Sequence, residues 1–513
     1  MALKALMMIA SLALMCMPAA ADGKGRATIY PAPEGEPASE GYEVSVNGKR
    51  TFCYTSFRYD TDSKQTIVGR PVSPVSFCSF DHEGPVEVEI RFLDGLKKAG
   101  IDTSTVVVRP LARNIRPKVD KERIRFTIDR PGPITIEPGG SLKHPLHIFA
   151  NPPEKDVPDP EDPNVLYFGP GIHEVREKDL KSGQTVYIAG GAVVYLKPIP
   201  DDQRTGKHDA YGLDVYWTGP GLFTSAYQKN VTVRGRGILC GRRSLEHRQR
   251  GPLVKFEFIE DLKVEGIIIR ESPVWSLNMV NCRRVHVRNV KVIGHYVNND
   301  GIVVGGTSDA LVEDCFSHNA DDSLEIKVWI PQKNVTFRNC VVWNDIGGSF
   351  GLFHECGAEL SNVLFENCTV LHSTDDASVC PVVGLKVTGQ GNVHDIRFEN
   401  ITIEHVASEK RPALKVINNW DDWHIGYPTK PGSPYEMLDP PKHDPPYAAI
   451  RDVVFRNIRV LGCRNTDVAL ISDAAASPIE RITFENVIIN GRKLVPDDPR
   501  IKKNEWVSGV TVK

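Results

Sequence analysis

The chain has 513 residues, with 62 Lys and Arg against 65 Asp and Glu, and its net charge of −3 gives neither a basic field for nucleic acid nor an acidic tail. That length exceeds one ordinary core and calls for two domains or one elongated repeat body. No CxxC pair and no His-x-x-x-His spacing argues for a metal, so neither metal nor cofactor is expected.

The N-terminus reads as an export signal over residues 1–21. Lys4 precedes an apolar run from Ala5 to Met17, and Pro18-Ala19-Ala20-Ala21 suits cleavage before Asp22. The run is well below the roughly 20 residues needed to span a bilayer, and Met15 stands before Cys16 where lipoprotein processing wants a small residue. The expectation is a secreted or periplasmic protein with no membrane span.

Residues 22–150 alternate short β-rich runs with turn-forming Asn-Gly, Asp-Gly and Pro-Gly. The runs Tyr42 to Val46, Val86 to Ile90 and Ile124 to Ile128 are examples, and the pattern is that of an antiparallel sandwich. Cys53 and Cys78 are the first pair to test for a disulfide. The apolar-bearing stretch Leu142 to Phe149 is expected as a partly buried connector that seats the sandwich on the C-terminal domain. Residues 151–164, Asn-Pro-Pro-Glu-Lys-Asp-Val-Pro-Asp-Pro-Glu-Asp-Pro-Asn, are too rich in proline and charge to pack and read as a linker.

From 165 to 513 the chain repeats an alternating strand, an Asn or Asp, and a second short strand. Aligned on one strand residue, Val233, Val264, Val287, Val312, Phe337, Phe365, Phe398, Phe455 and Phe484 recur 23 to 33 residues apart, except for an interval of 57 before Phe455. Such a unit cannot bury its inward side chains alone and must stack on its neighbours. The expected body is a right-handed parallel β-helix, in an all-β protein, with coils about 4.8 Å apart. Asn at the turn suits a ladder, because it tolerates the left-handed conformation and its amide reaches adjacent coils. Cys282, Cys315, Cys340 and Cys368 read as small buried residues at one repeated turn position. The long interval holds the insertion Trp420 to Pro446, whose aromatics suit a groove wall.

Two consecutive coils concentrate carboxylates. Asn298-Asn299-Asp300-Gly301 and Ala320-Asp321-Asp322-Ser323 are separated by 21 residues between Asp300 and Asp321, about one coil, so Asp300 stacks below Asp321 and Asp322. Glycoside hydrolysis needs two carboxyls in unlike environments, and crowding three raises at least one pKa. Strand parity sends Leu324, Ile326 and Val328 inward and Asp321, Ser323, Glu325 and Lys327 outward, so Asp322 joins the site only from a turn or bulge. Candidate substrate contacts are Asn298, Glu325, Lys327, His354, Glu355, Trp420 and Trp423. The expected partner is a polysaccharide or oligosaccharide.

The pattern Asn-x-Asp-Gly followed one coil later by Asp-Asp resembles the β-helical glycoside hydrolases of family 28 (polygalacturonases) and family 49 (dextranases and relatives), the sandwich being similar to the family 49 arrangement. The resemblance implies inversion at the anomeric centre, with Asp321 as general acid and Asp300 and Asp322 holding and activating water. Polygalacturonases also carry Gly-His-Gly and Arg-Ile-Lys segments. Here the comparable stretches read Gly348-Ser349-Phe350-Gly351, and Gly384-Leu385-Lys386 or Ala413-Leu414-Lys415, without the arginine. The run Val342-Trp343-Asn344-Asp345 looks more like the dextranase side. A β-helix polysaccharide lyase and a non-catalytic glycan-binding β-helix are the alternatives, but a lyase usually needs Ca²⁺ or an Arg or Lys base, and a binding protein has no need of three clustered aspartates.

Overall fold

The computed structural model describes residues 25–120, 122–204, 206, 208, 213–215, 222–375, 380–419 and 448–513. The expected export signal and the insertion with Trp420 and Trp423 lie outside the described residues.

The strands between Arg26 and Asn151 form two packed sheets. One orders Arg26–Ile29, Arg70–Glu83, Leu146–Asn151, Gly132–Pro138 and Val106–Arg109; the other orders Lys49–Thr51, Tyr42–Val46, Val86–Phe92, Arg123–Ile128 and Lys118–Asp120. Alternation does what it should: Val86, Val88, Ile90 and Phe92 are buried while their neighbours face outward. Leu146–Asn151 is not a connector but a strand inside the first sheet, parallel to Arg70–Glu83 and buried throughout. Cys53 and Cys78 are free thiols in the sandwich core.

From Val165 onward, parallel strands stack into three sheets of 13, 12 and 11 strands among the described residues. Each coil therefore has three strands, where the sequence pattern showed two. The nine aligned residues stand in one register column of the first sheet, Val233 to Phe484, continued backwards by Val186. The five phenylalanines of this column, Phe337 to Phe484, lie face to face, with centroids 4.7, 5.0, 4.9 and 5.3 Å apart.

Two left-handed positions recur in the coils from Asn230 to Asn486, one within the first-sheet strand (Asn334, Asn362, Asp395, Asp452) and one at its end (Asp314, Asn339, Asn367, Asn400, Asn457, Asn486). The end positions form the amide ladder: Asn400 Nδ2 donates to Asn367 Oδ1, and Asn457 Nδ2 to Asn400 Oδ1, both at 3.0 Å. Cys315, Cys340 and Cys368 come directly after this ladder as free thiols in the core. Cys282 does not join them, because Asn281 before it turns the chain from the third sheet into the first.

The sandwich lies on the second sheet. Tyr54, Val75, Phe77 and Phe149 pack against Val193, Ile238, Ile268, Ile293, Phe316 and Val341. Buried ion pairs surround this apolar patch: Arg270 with Glu36 at 2.6 Å, Arg236 with Asp81 at 2.8 Å, Arg58 with Asp345 at 2.8 Å and Arg109 with Glu404 at 2.7 Å. The third sheet carries the acidic cluster.

Candidate active site

Strand Ile302–Gly305 pairs with Leu324–Val328 so that Ile302 faces Leu324. That offset of 22 aligns Asp300 with Asp322 and sets Asp321 one residue aside, a correction to the stacking read from the 21-residue spacing. Leu324, Ile326 and Val328 enter the core. Asp321 and Asp322 lie in the bend before the strand, which frees Asp322 from inward parity. The bend demands close approach, since a Cβ on Gly301 would meet Ser323 O at 2.3 Å and one on Gly347 would meet Asp322 N at 2.3 Å.

Two asparagines that sequence reasoning missed hold the bend. Asn319 Nδ2 donates to the carbonyls of Asn299, Asp321 and Asp322 at 2.8, 2.7 and 2.9 Å, and its Oδ1 accepts from Ser317 and Ser323. Asn344, stacked on Asn319 in the next coil, donates to Asp321 O at 2.6 Å and to Gly348 O at 3.1 Å. The only signal for them was an Asn at the end of successive second-sheet strands. Asp345, next to Asn344, is clamped by Arg58 of the sandwich and by Trp343 Nε1.

The three aspartates differ. Asp321 is half-buried, and its carboxylate accepts from the backbone N–H groups of Asn298 and Asp322, each at 3.0 Å. Asp300 and Asp322 are buried. Burial, followed by the charges of Glu325 and Asp321, pushes both of their carboxyls well above the usual range, with Lys327 opposing. Gly348 N donates to Asp322 Oδ1 at 2.5 Å. The cluster thus keeps protons at a pH where ordinary carboxyls have lost them, which is what acid–base chemistry on a glycoside requires.

Asn298 supplies its backbone N–H to Asp321, while its side-chain oxygen accepts from Arg250, a buried residue that sequence reasoning missed. Glu325, Lys327 and Glu355 are sealed from solvent, with Lys327 Nζ 3.0 Å from Glu325 and 2.8 Å from Glu355. His354 stands at a bulge with φ of 67°, its ring nitrogens each 3.2 Å from Cys380 Sγ and Lys386 Nζ. Burial and the charges of Lys386 and Lys327 hold its imidazole well below the usual range. Trp329 and Trp343 are fully buried. Lys386 and Lys415 lie two and three coils beyond the aspartates. Buried Arg411 turns its guanidinium to the carbonyls of Cys380, Gly347 and Pro381. One oxygen from each of Asp300, Asp322 and Glu325 lies within 4.8 Å of the others, a donor set with the spacing a small cation would need.

Residues 238–411 match the model of Glycosyl hydrolases family 28. Isopullulanase of Aspergillus niger is 25% identical over 318 residues, covering 52% of this chain and 53% of that protein. A probable polygalacturonase of Arabidopsis thaliana is 26% identical over 191 residues, covering 36% and 40%. The chain thus spans about half the length, or less, of these curated relatives. The solved structure of Dex49A from Penicillium minioluteum superposes with a TM-score of 0.61 at 13% identity over 95% of this chain and 96% of that one, a likeness of fold. The matched segment contains Asp300, Asp321 and Asp322 together with the asparagines that hold them, and in that segment the chain resembles Glycosyl hydrolases family 28.

Proposed function

We propose that this protein is a secreted glycoside hydrolase that cleaves a polysaccharide or oligosaccharide with inversion at the anomeric carbon. The observation that carries the reading is the geometry of the aspartate trio: two carboxyls buried together on adjacent coils beside one that reaches the surface from the same bend. Asp321, at the surface, protonates the leaving oxygen. Asp300 and Asp322 hold one water between them and take its proton as it attacks the opposite face of the sugar. The match to Glycosyl hydrolases family 28, and relatives named as isopullulanase and polygalacturonase, support hydrolysis over elimination.

The test is a panel of neutral and acidic glycans, with product NMR at early times. Inverted anomers without unsaturated rings are expected. Asp321→Asn should lower turnover on an unactivated glycoside by at least the roughly 10²–10⁴-fold that general-acid assistance supplies, and a substrate with a good leaving group should restore part of it. Asp300→Asn and Asp322→Asn should show no such rescue. Near-native turnover in Asp321→Asn, or unsaturated products, would overturn the reading.

A further inference from the structure

The cluster holds a fourth carboxyl that the aspartate trio leaves without a task. Glu325 lies on strand Leu324–Val328, three residues beyond Asp322, and is fully buried. Its register neighbours are Val303 below and Gly351 above, so no polar side chain stands directly under or over it in the ladder. One of its oxygens lies within 4.8 Å of an oxygen of Asp300 and one of Asp322.

These oxygens are short of donors. Among the described residues, Asp300 Oδ1 has no protein donor, and the cation beside Glu325 is Lys327. Lys327 Nζ stands 3.0 Å from Glu325 Oε2 as an ion pair, while its hydrogen bonds go to Glu355 Oε2 and the carbonyl of Phe353. Ionised carboxylates only accept, and two of them side by side in a buried site are stable only with a proton between them. The energetics agree. Asp300 is raised by burial first and then by Glu325, whereas for Glu325, raised by its own burial, the Lys327 charge and the bond to Asp300 pull the other way.

We propose that Glu325 is a positioning residue of the hydrolytic site, sharing one proton with Asp300 and thereby setting the pH at which Asp300 becomes free to accept a proton from the attacking water. The assignment rests on the hydrolytic reading above. Glu325 does not touch the sugar; it acts through Asp300. Lys327 limits the effect, because its ammonium favours ionisation of both carboxyls. The pair then titrates in two macroscopic steps that belong to both residues.

The test combines carbon-detected NMR titration of the side-chain carboxyls with the pH profile of kcat/KM. In Glu325→Gln, which keeps the size and removes the charge, the Asp300 step and the acid limb of kcat/KM should both move down by about one pH unit or more, tenfold in proton affinity per unit. KM should change little. In Lys327→Met both should move up instead, and opposite shifts from two neighbouring substitutions are not what simple loss of packing produces. An Asp300 step and an acid limb that stay in place in Glu325→Gln would overturn the proposal. So would Ca²⁺ that shifts the wild-type Asp300, Asp322 and Glu325 signals together, since the oxygens would then hold a cation rather than a proton. If the wild-type protein hydrolyses no glycan, the hydrolytic reading fails and takes the catalytic part of the proposal with it. The shared proton is judged separately by the Asp300 titration.

Discussion

Among single residues, the site depends on amides as much as on carboxylates. Asn319 ties three carbonyls of two coils together; Asp321 O also accepts from Asn344 and Asp322 O from the Gly301 N–H, so Asn299 O is the one that depends on it. Asn319→Ala should cost about 1–3 kcal/mol for the Asn299 carbonyl left unpaired, and kcat should fall more than KM rises because the bend no longer presents Asp321 and Asp322 together. Urea unfolding with steady-state kinetics checks both. Arg58 is the sandwich's own contribution, holding a fully buried Asp345 whose carboxyl is kept below the usual range by Arg58 and His318 against burial. Arg58→Met leaves that charge without its cation and should destabilise by about 3–5 kcal/mol. A loss below about 1 kcal/mol in chemical denaturation, the range of an exposed pair, would show that water reaches Asp345.

Along the repeating strand, stability comes from identical side chains meeting their copies. Phe398 lies between Phe365 and Phe455 in the core column, with centroids 5.0 and 4.9 Å away. Phe398→Ala should cost about 3–5 kcal/mol, because rigid coils on both sides cannot collapse into the hole. Asn400 tests the outer ladder. Its φ is 56°, and its amide bonds Asn367 and accepts from Asn457. Asn400→Ala loses exposed hydrogen bonds and adds left-handed strain, about 1–2 kcal/mol. Thermal melts of the two variants should therefore rank clearly, Phe398→Ala the lower. The Asn ladder and the recurrent strand residue were both legible in the sequence because one side chain per coil carries each. The third strand was not, since its inward residues (Ile302, Leu324, Phe350) vary in type while its outward ones serve the site.

In the molecule taken whole, the sandwich and the β-helix share a buried polar layer that titrates. His147, His318 and His372 are pushed below the usual histidine range, mainly by burial, and His295 and His405 to about 4. His144 and His354 are likewise lowered. A depressed histidine contributes stability that is fully present above its unfolded pKa near 6.5 and is lost as pH falls toward the folded value. The raised carboxyls Asp300, Asp322, Glu325, Glu154 and Glu404 act in the opposite sense as pH rises above about 4, since the folded state holds protons there that the unfolded chain has released. The lowered histidines outnumber the raised carboxyls, so unfolding takes up protons, and stability should fall as pH drops from about 7 to about 5. Melting temperatures across that range check the sign, and a rise on acidification would mean that the acidic cluster dominates.

The stacked-coil architecture, the sandwich before it and the coils that bring Asp300 near Asp321 and Asp322 were all written in the sequence, because periodicity, strand alternation and turn residues are local properties. Even the register column from Val233 to Phe484 could be read as a line of text. The folded chain was needed to establish which carboxyls are buried, that Glu325 and Lys327 lie within the wall, and that Arg58, 287 residues from Asp345 in the chain, supports the site. Those properties depend on what covers a side chain from another coil or from the sandwich. Desolvation and Coulomb interaction act through space, so the chemistry of the cluster is set by neighbours that spacing along the chain does not identify.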